Sequence, residues 1–153
     1  NASVTATTNG NSSDIDVQVG TTSGSNGGSD DVTISITNPG NSNTTSTNVG
    51  TTASGVDDVN IDIDLTSGSG SNTVTVTENS TATSITDKTT DIDIDGSTNT
   101  VTATKSGASQ HDTTINHTGS SSTLSVTQSG AEASTVDVTT NGSTSSVTIN
   151  VSD

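Results

Sequence analysis

In Ser122-Thr-Leu124-Ser-Val126-Thr-Gln128-Ser-Gly130 the apolar Leu124 and Val126 alternate with the polar Thr123, Ser125 and Thr127. A period of two means a strand with one buried face and one wet face. The β-branched Val and Thr suit a pleated surface. The stretch also recurs. Val101 lies 23 residues before Leu124, and Val147 lies 23 after it. Ala103, Val126 and Ile149 keep that step, and so do Gly107 and Gly130. A second strand series, Ile92, Ile115 and Val138, shares it.

Towards the start of the chain the step lengthens. Val74 to Val101 is 27, Ile34 to Ile63 to Ile92 is read as 29 each time, and Val4 to Ile34 and Ile15 to Thr45 are 30. Two strands per repeat then give one column centred on Val4, Ile34, Ile63, Ile92, Ile115 and Val138. The other is centred on Val17, Thr47, Val76, Ala103, Val126 and Ile149. Asn9-Gly10, Ser67-Gly68-Ser69-Gly70 and Asn141-Gly142 supply the turns, and no segment has a helical period.

Two-strand repeats of this length imply a solenoid, each coil lying on the last. The expected fold is therefore all-β: a cross-β-like β-solenoid of six stacked two-stranded coils of 23–30 residues. One repeat domain spans residues 1–153, with repeats at 1–30, 31–59, 60–88, 89–111, 112–134 and 135–153. Coils stacked at ~4.8 Å give a body roughly 25–30 Å long. The long polar turns Gly20–Asp30 and Ser67–Ser71 are expected to form a mobile surface.

This arrangement accounts for an unusual composition. The 153 residues are 23% hydrophobic and include no Phe, Trp, Tyr, Met or Cys. An ordinary globule could not offset its conformational entropy with so little. Two close sheets need only small branched side chains between them. The net charge of −15 repels nucleic acid and anionic membranes, and no apolar run approaches spanning length. The start, Asn1-Ala2-Ser3, reads as a mature product whose targeting segment has been removed.

Ser122, Leu124, Val126, Gln128 and Gly130, at alternate positions, resemble the curlin repeat of bacterial curli fibres, whose first half reads Ser-x-Leu-x-Ile-x-Gln-x-Gly. Asn99-x-Val101-x-Ala103-x-Lys105-x-Gly107 is similar, with Lys in place of Gln. Ser145-x-Val147-x-Ile149-x-Val151 is a third copy. The likeness covers the last third of the chain closely and the rest in architecture. It implies a secreted, self-assembling subunit of the functional-amyloid type, a structural protein of a cell-surface filament or biofilm matrix. A secretion chaperone would be a candidate partner.

Several residue groups invite a function. Asp62 and Asp91 are expected to stack on an outer face, as are Asp64 and Asp93, a grid of carboxylates that Ca²⁺ would neutralise. No other cofactor is indicated. Solvated acids that keep the surface soluble are the plainer reading. Thr73, Thr75, Thr100 and Thr102 head outward rows that resemble the ice-binding face of antifreeze solenoids, although Thr is also the best polar strand former. Glu78 and Lys105 occupy equivalent positions on successive coils and are read as an exposed ladder pair, with Gln128 next in the column. His111 and His117 lack a third ligand, and His117 is expected to end a core column beside Ile94. No catalytic arrangement stands out, so the chain is not read as an enzyme.

The partner implied is the chain itself. Val4, Ile15 and Val17 would form one assembly edge, and Val138, Val147 and Ile149 the other, joined by strand addition. The alternative is an ice- or Ca-binding solenoid within an adhesin or phage fibre.

Overall fold

The computed structural model describes residues 2–19, 31–50, 58–66, 70–79, 87–107, 110–130 and 134–152. The turn Gly20–Asp30 lies outside them, as do 67–69 of the turn Ser67–Ser71. Twelve strands alternate between two sheets: β1 (Ala2–Thr7), β2 (Asp14–Val19), β3 (Asp31–Thr37), β4 (Thr44–Val49), β5 (Asp58–Leu65), β6 (Thr73–Asn79), β7 (Asp87–Gly96), β8 (Thr100–Ser106), β9 (Gln110–Gly119), β10 (Thr123–Ser129), β11 (Thr135–Asn141) and β12 (Ser146–Ser152). The odd strands form one six-stranded sheet in chain order, the even strands the other, and the pairs within each sheet run parallel. The fold is a β-solenoid of two-stranded coils, as the repeat predicts.

Register follows from where the apolar residues must go. Leu124 pairs with Val101 on one side and Val147 on the other, and Val126 with Ala103 and Ile149. In the even sheet the whole expected column Val17, Thr47, Val76, Ala103, Val126 and Ile149 is formed. The odd sheet needs one correction: Ile34 pairs with Ile61, and Ile63 pairs with Ile36. The true step there is 27, and the column through Ile63, Ile92, Ile115 and Val138 begins at Ala6 and Ile36 rather than Val4 and Ile34. A slip of two residues keeps every side chain on its own face, so alternation alone could not reveal it.

The core is a thin slab of Ile, Val, Leu and Ala between the sheets, with Ile34, Ile61, Ile63, Ile92, Ile115, Leu124 and Val126 wholly buried. Burial of each such side chain is worth ~1.5–3 kcal/mol. Thr45 and Thr47 take inward places in β4, where the side-chain hydroxyls are buried without a hydrogen-bond partner.

The turns between odd and even strands are built as ladders. Gly40, Gly96, Gly119 and Gly142 each sit against the glycine carbonyl of the preceding turn or coil, so close that a Cβ would fall inside van der Waals contact with backbone. A buried polar ladder runs beside them. The backbone N–H of Asn43 donates to Asn72 Oδ1 (3.1 Å), that of Asn72 to Asn99 Oδ1 (3.1 Å), and that of Asn99 to Ser122 Oγ (3.2 Å). Ser13 N–H joins at the start, donating to Asn43 Oδ1. These bonds supply partners for backbone donors at the corners, where the strand ladder stops.

Candidate functional site

The two ends of the solenoid carry the assembly residues expected from the sequence. Among the described residues, β1 and β2 have no strand partner on one side, and β11 and β12 none on the other. Ile15, Val17 and Val19 are nevertheless buried in β2, whereas Val147, Ile149 and Val151 are 43%, 45% and 47% exposed. They are the exposed large hydrophobics among the described residues. Val4 and Val138, in the odd sheet, are partly buried.

The acid grid forms as expected. Asp62 pairs with Asp91 and Asp64 with Asp93, on the outer face of the odd sheet. Partial burial, then Asp93 and Asp62, raise the pKa of Asp91. Asn116 Nδ2 donates to Asp93 Oδ1 (2.8 Å), and Thr66 N–H donates to Asp64 Oδ1 (3.0 Å). Among the described residues no group of three or more His, Cys, Asp or Glu is gathered to hold a metal ion.

The outward threonine rows also form: Thr73 pairs with Thr100 and Thr75 with Thr102, and Thr100 continues to Thr123. From β4 to β12 this face carries Thr, Ser and Asn and no charge.

The largest departure from expectation lies inside. Glu78 and Lys105 pair across β6 and β8 as the repeat predicts, but they are buried, not exposed. In β6, Val74, Val76 and Glu78 alternate inward, and Lys105 and Gln128 follow in the same column. Lys105 Nζ lies 3.6 Å from Glu78 Oε2, and both side chains have no exposed area. It donates to the carbonyl oxygens of Asp112 (2.8 Å) and Lys88 (3.3 Å). Thr90 Oγ1 donates to Glu78 Oε1 (2.8 Å). One coil on, Thr113 Oγ1 donates to Gln128 Oε1 (2.5 Å), and Gln128 Nε2 donates to the His111 carbonyl (3.1 Å).

Lys88 and His111, paired on the opposite sheet, are buried against this layer. Burial pushes Glu78 up and Lys105 down, both towards their neutral forms, against their mutual attraction. His111 is pushed down to about 4 by burial first, then by Lys105 and Lys88. Both of the chain's lysines are thus inside, and no arginine is present to place a positive side chain outside.

His117 stacks on Ile94 as expected and is buried, with Nε2 2.6 Å from Ser122 Oγ. Burial lowers its pKa. Sequence reasoning missed the Asn43, Asn72, Asn99 ladder. Its signal is an Asn or Ser two residues before the first inward residue of each even strand.

Comparison with protein-family models, curated proteins and solved structures finds no match for this chain.

Proposed function

We propose that the protein is the structural subunit of an extracellular filament, built by head-to-tail addition of the first coil of one copy to the last coil of another. The observation that carries this reading is the strip Val147, Ile149 and Val151, inward-facing yet nearly half exposed on an edge strand that is paired on one side only. Open strand edges beside exposed apolar side chains are templates for further pairing.

The partner surface suits the strip. Continued across the junction, the inward columns would set Val136 on Val4, Val138 on Ala6, Val147 on Ile15, Ile149 on Val17 and Val151 on Val19. Apolar would meet apolar in all five. The column that holds Glu78, Lys105 and Gln128 in the middle begins at Val19 and Val49 and ends at Val151, so no buried charge would reach the joint. Outside, Asp14 and Asp16 would lie beside Ser146 and Thr148, and Asp137 beside Thr5. No acid would oppose an acid across the strands. The curlin-like residues Ser122, Leu124, Val126, Gln128 and Gly130 support an address at the cell surface or in a biofilm matrix.

Sedimentation and negative-stain microscopy of the purified protein test this. Filaments are expected. Ile149→Lys, which changes one end, should leave a folded particle that does not elongate. A wild-type protein that stays monomeric at high concentration would overturn the reading.

A further inference from the structure

We infer that Lys105 and Glu78 condense to an intramolecular amide, a covalent staple between β6 and β8 inside the solenoid. The inference does not depend on filament formation. It starts from geometry: an amine nitrogen and a carboxyl oxygen 3.6 Å apart, on adjacent strands in fixed register, with no water-exposed area on either side chain. Held neighbours in a dry site react as a unimolecular pair, without the entropy cost of encounter.

The hydrogen bonds favour the reactive form. Lys105 Nζ directs two N–H groups at fixed carbonyl oxygens, those of Asp112 and Lys88. Glu78 Oε2 lies 3.6 Å from the same nitrogen. If a proton passes from Lys105 to Glu78 across that contact, the amine gains a lone pair and the carboxyl becomes a neutral acid. Burial drives both groups this way, and Lys88 adds a like charge that disfavours an ammonium at Lys105. Desolvated lysine is a nucleophile for this reason.

The step balances without another reagent. Lys105 Nζ attacks Glu78 Cδ, and the developing negative charge on Oε1 meets the Thr90 hydroxyl already donating to it. The Nζ proton passes to the hydroxyl at Oε2, the oxygen nearest the amine. The Cδ–Oε2 bond breaks and one water leaves. The product has no ionisable group where an acid and an amine were buried. Thr90 touches the reacting carboxyl and is the catalytic residue in this step.

Intact-mass spectrometry of the full chain, unfolded after purification, is the test. The expected mass is lower than the sequence mass by one water, with fragment ions joining the Glu78 and Lys105 segments. Lys105→Arg should return the full mass. Thr90→Val, which keeps shape and loses the hydroxyl, should slow conversion at least tenfold. Wild-type protein that keeps its full sequence mass after long incubation at neutral pH overturns the inference, as does a water loss mapped to other residues. Because the decisive reading is on wild-type protein, a variant that fails to fold does not blunt it.

Discussion

Gly119 lies directly over Gly96, with no room for a Cβ between its backbone and the Gly96 carbonyl. Its φ of 154° adds a backbone cost for other residues. Gly119→Ala is expected to destabilise the fold by about 3 kcal/mol, from overpacking against backbone that cannot yield. Chemical denaturation measures this. Gly10 is the control, because a Cβ there would meet only the Ser13 hydroxyl at 3.2 Å. Gly10→Ala should cost well under ~1 kcal/mol.

Leu124 and Val147 share a column but not an environment: the first is fully buried and the second 43% exposed. Leu124→Ala should therefore cost ~2–5 kcal/mol in the isolated subunit. Val147→Ala should cost under ~1 kcal/mol there. In filaments the order of importance changes, since Val147 would be covered. Val147→Ala should leave subunit melting almost unchanged while raising the concentration needed for assembly, which a sedimentation series reads.

Buried lysines make a chemical prediction. Lys88 is closed to reagents in the folded chain, so trypsin should not cut after it and amine-reactive labels should not reach it until the coils open. Protection relative to denatured protein should exceed roughly tenfold. Peptide mapping under native and denaturing conditions settles the point, and rapid native cleavage after Lys88 contradicts the buried layer.

His111 sets one part of the pH dependence. Its folded pKa falls from 6.5 to about 4, so the unfolded chain binds the proton more readily. Its contribution to stability is whole above pH 6.5 and is lost as pH falls towards 4. Between pH 7 and pH 5 the loss should be on the order of 1–2 kcal/mol. His111→Gln should flatten that slope. An equal slope in the variant assigns it elsewhere.

The Asp stack acts in the opposite direction. Asp91 is raised by partial burial and by Asp93 and Asp62, so its penalty is absent below the unfolded pKa of 3.8 and grows as pH rises through the raised value. Asp91→Asn should raise stability at neutral pH by only about a few tenths of a kcal/mol, because the site is largely exposed, and the melting temperature should rise slightly with it. The gain should disappear in strong acid.

Most of this architecture could be read from spacing. The even sheet follows directly, because the step between its columns is fixed by Val17, Val76, Val126 and Ile149, and every step brings one strand onto the next. The odd sheet departs at Ile34, where Ile61 and Ile63 both satisfy the alternation, so parity alone does not choose between them. Glu78 and Lys105 were misplaced for a different reason. Parity puts them inside, two residues past Val76 and Ala103, but the expectation that charges face water outweighed it. The thin slab tolerates them because each end of the pair finds partners: Thr90 for the acid, and the Lys88 and Asp112 carbonyls for the amine. The Asn43, Asn72, Asn99 ladder was hidden by composition, since Asn is common throughout the turns and only its offset from the strands marks these three.

Fibre diffraction from aligned protein bears most directly on the central proposal that end coils pair in register. The account predicts a meridional reflection near ~4.8 Å from stacked coils, with a subunit repeat of about 29 Å when six coils follow one another without a gap. Oriented fibres whose strands run along the axis would contradict it, as would a preparation containing only discrete single-subunit particles.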